Sequence, residues 1–105
     1  MRRMLVFFNL KSGADVAAYE AWANDVDIPT VRNLPSVAGF TVHKCAEALG
    51  DAQMPHDYVE IIDVKDVDGF FEDISTEAMK AVAAQFAEFT DDPVFVWTDP
   101  VGPAD

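Results

Sequence analysis

Four polar residues set among apolar strand residues have types and spacings that could do chemistry. They are Asn9 in VFFNL, His43 in FTVHK, and Tyr58 with Glu60 in YVEII. An imidazole beside a carboxylate is useful because the carboxylate holds one ring nitrogen and raises the basicity of the other, poising it for proton transfer near neutral pH. On that reading His43 is the general acid or base and Glu60 orients it, while Asn9 or Tyr58 holds a polar group of the substrate. The plainer alternative has His43 on an edge strand facing water and Glu60 as an ordinary strand acid. A second constellation lies in VDIPTVRNLPSV, residues 26–37, where Arg32 stands between Pro29 and Pro35 as the only cationic side chain between Lys11 and Lys44. Its planar fork suits a polar group of a ligand. It suits equally well the carbonyls left free at a helix end, or a pairing with Asp25 or Asp27. Asp27 is then either that partner or a second acid at a pocket mouth.

Other chemistries find no support. Two His and one Cys at no recognised ligand spacing argue against a metal site. The five glycines are scattered and form no phosphate loop, there is no G-x-S-x-G elbow, and Cys45 lacks any pattern that would mark a nucleophile. An enzyme built from these residues works by acid–base chemistry and shape, without a cofactor. With 19 acidic residues against 7 Lys plus Arg, the formal charge of −12 excludes the basic stripe that nucleic acid or an anionic membrane requires. Half the residues are apolar, so disorder is not the class. A lone Cys45 allows no internal disulfide and fits a reducing cytoplasm. The start, MRRMLVFFNLK, has the look of a secretory leader, but its apolar run is short and Lys11 closes it, so it reads as a strand.

The elements that must position these residues follow from period and punctuation. Met4 to Leu10 is β-rich and ends at the Ser12-Gly13 turn signal; Ser12, three residues before Asp15, marks a helix start. Val16, Tyr19, Trp22/Ala23 and Val26 make one helical face, and Pro29 and Pro35 predict a loop or short turns over 28–37. Gly39 opens the strand FTVHKCA, LGDAQMPHD is a connection, and YVEIIDV is the third strand. A second helical region starts at Asp66, breaks near Ser75-Thr76 and resumes with Met79, Val82, Phe86 and Phe89 on one stripe. Asp91-Asp92-Pro93 ends it, VFVWT is the fourth strand, and 99–105 form a Pro/Gly tail. The whole of 1–105 reads as one domain in the order β-α-β-β-α-β, which predicts a four-stranded antiparallel sheet with both helices on one face, the first and third strands central and the second beside the third.

Alternation puts Leu5, Phe7 and Asn9 on one face of the first strand, Thr41, His43 and Cys45 on one face of the second, and Tyr58, Glu60 and Ile62 on one face of the third. If these three sets share a side, Asn9, His43, Tyr58 and Glu60 converge in an oily wall. Both faces of the sheet carry large apolar residues, yet the helices can cover only one. Each such residue left wet forgoes about 1.5–3 kcal/mol. The economical cover for the other face is a second copy of the chain, so a homodimer is expected.

The run YEAWANDVDIPTVRNLPSVAGFTVHK followed by YVEIIDV resembles the dimeric α/β-barrel superfamily, and more narrowly the RedY-like/HapK proteins found with prodiginine and bis-indole pathways. That resemblance implies a ferredoxin-like α+β monomer paired sheet to sheet. In related sequences the pattern is W-x-x-x-x-H-x-P-x-x-R; here Trp22, Pro29 and Arg32 match, but Asp27 stands in place of His. Together these considerations point to a cofactor-independent enzyme, of cyclase, isomerase or monooxygenase type, acting on a small indole- or pyrrole-derived intermediate. His43 and Glu60 are its expected catalytic pair. Asn9, Tyr58, Arg32 and Asp27 are its polar contacts, and Phe7, Tyr19, Trp22 and Phe40 its walls, although Tyr19 and Trp22 suit a plain core role too. The alternative is a dimeric binding protein that sequesters or delivers a hydrophobic intermediate.

Overall fold

A computed structural model describes residues 1–103, so the last two positions of the expected tail lie outside the described residues. The elements run β1 (Arg2–Leu10), α1 (Val16–Trp22), a π-helical turn (Ala23–Asp27), α2 (Ile28–Arg32), β2 (Val37–Lys44), β3 (Tyr58–Val64), α3 (Val67–Ile74), α4 (Glu77–Phe89) and β4 (Thr90–Thr98). The sheet order is β2-β3-β1-β4 with every pair antiparallel, as the sequence implies. The helices cover one face. Val6, Phe8, Tyr19 and Val64 are its most deeply buried side chains, and Phe8 lies in an aromatic cluster, stacked on Tyr58 at 5.3 Å and edge-on to Tyr19 and Phe86. Among the described residues no helix is long and apolar enough to cross a membrane.

Three expectations are corrected here. The first helix is capped by Asp15, whose carboxylate accepts from the Ala18 N–H, and not by Ser12. The predicted loop over 28–37 is helical as far as Arg32. Inside an α-helix, Pro29 would lose one hydrogen bond and its ring would press on the carbonyl four residues back. The chain widens by one residue instead: Ile28 N–H bonds to the Ala23 carbonyl five residues earlier, and Pro29 then sits in the first turn of α2 where its missing N–H costs little. The helical path therefore runs on through the proline, with Tyr19, Ala23, Asp27 and Val31 all buried at four-residue steps. β4 also begins earlier than VFVWT, at Thr90; Asp92 takes a positive φ of 46° where its pairing with β1 shifts register between Phe7 and Asn9.

Candidate active site

The sheet register decides which residues meet. Tyr58, Glu60, Ile62 and Val64 all point to the helix side, opposite Phe8, Val6 and Met4. On β2, Val37 faces Val64 and Phe40 faces Ile62, both inward, three residues apart; a bulge between Val37 and Gly39 absorbs the extra residue. That bulge turns Thr41 and His43 to the opposite, open face. His43 is thus not beside Glu60. It is exposed and shares a 3.0 Å hydrogen bond with Thr41 Oγ1. Asn9 is on the open side too, where its Oδ1 accepts from Asp57 N–H at 2.9 Å while Asp57 returns a carboxylate to Leu10 N–H at 3.1 Å, a clamp between strand ends. The expected four-residue cluster is therefore split by the sheet.

A different pair comes together. Between sheet and helices lies a cavity of about 350 Å³ whose lining includes Met4, Phe40 and Ile62 from the sheet, Phe70 and Ile74 from α3, and Met79, Val82 and Phe86 from α4. Of its fifteen lining residues only two are polar, Asp27 at the π-turn and Glu60 on β3, and both are 5% exposed. Removal from water pushes the Asp27 carboxyl up to about 6. The same burial, reinforced by the charge of Asp27, holds the Glu60 carboxyl well above the usual range, and its Oε2 has no hydrogen-bond partner. Asp27 is thus the acid that ionises first as pH rises, and Glu60 the one held toward its protonated form. Two acids driven apart in this way form a base and an acid within one apolar chamber. Phe71 and Phe95, each about half exposed, also line the cavity.

The remaining candidates take structural positions. Arg32 is exposed and donates through Nε to the Phe40 carbonyl at 3.0 Å, tying the end of α2 to β2; it bonds neither Asp25 nor Asp27 and does not line the cavity. Tyr58 Oη donates to Glu20 Oε2 at 2.6 Å, beside Lys44. Trp22 donates to Gln85 Oε1 at 2.6 Å and packs on Phe86 and Phe89. Tyr19 is fully buried; burial, and next the charges of Glu60 and Asp27, keep its phenol protonated. Phe7 is on the open face against His56, at 5.4 Å between ring centroids, and Phe40 alone of the four expected walls lines the cavity. Sequence reasoning named both acids but not as a pair. The available signal was Asp27 falling in the four-residue stripe Tyr19, Ala23, Asp27, Val31, a core stripe running through a proline.

Comparison with known proteins follows the same lines. A family profile described as "REDY-like protein HapK" matches residues 2–101. The crystal structure of HapK from Hahella chejuensis is 28% identical, with a TM-score of 0.73 over 100% of this chain and 97% of that one. SnoaB, a cofactor-independent oxygenase from Streptomyces nogalater, shares the fold at 13% identity and TM-score 0.73, covering 98% and 95% of the two chains. A dimeric ferredoxin-like protein of unknown function from Thermobifida fusca does so at 19% identity and TM-score 0.71, over 92% and 88%. No curated protein matches the chain.

Proposed function

This chain belongs to the REDY-like HapK family, and from that premise we propose that it is a cofactor-independent acid–base enzyme acting on a small aromatic, indole- or pyrrole-derived intermediate of prodiginine-like secondary metabolism. The observation that carries this reading is the pair of buried carboxyls, Asp27 and Glu60, on the wall of an otherwise apolar chamber. Asp27, ionised at neutral pH, takes a proton from a carbon or nitrogen of the bound ring system. Glu60, still protonated, delivers its proton to another atom of the same conjugated system. One proton leaves and one arrives, so the product is a tautomer, or a closed ring where the internal nucleophile attacks the carbon whose heteroatom receives the proton. The apolar walls fix the reactive conformer and keep water from levelling the two acids.

Conversion should be followed by liquid chromatography–mass spectrometry with indole- and pyrrole-derived candidates, in D₂O as well as in H₂O. The expected result is conversion, with one solvent deuteron retained in the product where the protonated atom is carbon. Saturable binding of the panel without conversion would assign the chamber to carriage instead.

The same reading includes a cytoplasmic homodimer. The open face of the sheet presents Leu5, Phe7, Val59 and Ile61, all partly exposed, with Val94 and Val96 exposed, a surface too apolar to leave in water. Solved structures of this fold from Thermobifida fusca and Bacteroides fragilis are described as dimeric. Sedimentation equilibrium is expected to give a dimer for the wild type, and for Ile61→Asp a dissociation constant raised at least about 10²-fold, since a charge then replaces a buried side chain. A wild-type monomer at tens of micromolar would sink this part of the reading.

A further inference from the structure

The chamber holds two carboxyl groups and no cationic side chain. Its lining contains no Lys, Arg or His, and Arg32, the cation nearest in sequence to Asp27, is spent on the Phe40 carbonyl outside it. Glu60 Oε2, nine-tenths buried, has no hydrogen-bond donor. A buried polar oxygen without a partner is costly, and the cost falls away when a ligand brings the missing donor. The cavity wall is otherwise hydrocarbon, with aromatic rings from Phe40, Phe70 and Phe86, so the ligand that fits is flat and apolar apart from its donors.

We infer that the chamber is a site for planar nitrogen heterocycles bearing a cationic or donor-rich N–H edge, of which an aromatic amidinium is the limiting case, and that it rejects ligands carrying a carboxylate. This rests on the proposed function for the site but concerns what the pocket recognises and not what it converts. An amidinium offers two parallel N–H donors to a carboxylate and supplies the positive charge that the chamber lacks. A carboxylate ligand would meet Asp27 at close quarters with no cation to offset it. Arg32, which the sequence offers as a contact for a polar group of a ligand, takes no part in this recognition.

Three probes of similar size separate the cases by isothermal titration calorimetry: 2-aminobenzimidazole, a cyclic guanidinium that presents the amidinium's parallel N–H pair, indole as the neutral ring with one donor, and indole-2-carboxylate as the anion. For the wild type, 2-aminobenzimidazole is expected to bind about 10–100-fold tighter than indole, the worth of one charge-assisted hydrogen bond, and indole-2-carboxylate at least about tenfold weaker. Asp27→Asn combined with Glu60→Gln should abolish the preference, with circular dichroism confirming the fold. In the wild type the preference should also fade as pH falls below about 6, where Asp27 takes up its proton. Equal affinities in the wild type, a preference that survives the double substitution, or tight binding of the anion would each overturn the inference. If substrates are converted but the amidinium shows no preference, the catalytic reading stands and this one falls. If the preference holds and nothing is converted, the reverse is true.

Discussion

Replacing Glu60 by Gln is expected to lower the rate of conversion by about 10²–10⁴-fold, the usual worth of a positioned acid or base. Gln keeps the shape and a hydrogen-bonding end on the inward face of β3, so the chamber and its Phe40, Phe70 and Phe86 walls stay in place. What is lost is a transferable proton. Ligand affinity should change far less than turnover, because the amide still fills the site. The pH profile distinguishes the role more sharply than the rate alone. In the wild type, activity should rise through about pH 6 as Asp27 ionises, and fall again at higher pH where Glu60 gives up its proton. Glu60→Gln should retain the first limb and lose the second. A variant with wild-type turnover, or one whose upper limb persists, would move the acid elsewhere.

The second large effect is on stability. Asp27 is 5% exposed and keeps its proton up to about 6 in the folded chain, against roughly 3.9 for an unfolded aspartate. Between those values the folded state binds more protons than the unfolded one. Stability is therefore fully present below about pH 4 and is lost as pH rises through about 6, by roughly 3 kcal/mol in all. Asp27→Asn has no charge to bury. Urea titrations at pH 4 and pH 7.5 should show the drop between them shrink by about 3 kcal/mol in the variant, with the variant near wild type at the acid end. Parallel wild-type and variant curves across that range would mean that Asp27 does not carry this burden. A site residue whose removal strengthens the fold is one retained at a cost in stability.

Much of this molecule can be read without coordinates. The third strand, YVEIIDV, needed no adjustment: alternation groups Tyr58, Glu60 and Ile62 on one face, and that set is buried. The break near Ser75-Thr76 is real, with Thr76 capping α4 through Met79 N–H. The stripe Met79, Val82, Phe86, Phe89 faces inward. The site was harder, for two local reasons. Alternation within a strand does not say which face is which; that depended on one bulge at Val37–Gly39, without which His43 would have turned to the Glu60 side. And proline rules placed a loop where a widened helical turn carried the chain through Pro29, which is how Asp27 came to the chamber wall. Both failures are single-residue irregularities.

The widened turn at Ala23–Asp27 has a consequence for how this site passes between related genes. Regular helix advances about 100° per residue, so loss of one codon within that turn would restore ordinary winding and rotate the segment bearing Tyr19 and Ala23 by that angle against the segment bearing Asp27 and Val31. The four could no longer share one buried stripe. The acidic centre thus depends on the length of this turn as much as on the residue at position 27. In homologues, the number of residues between the positions of Tyr19 and Val31 is the character to score first, before asking whether Asp or His stands between them.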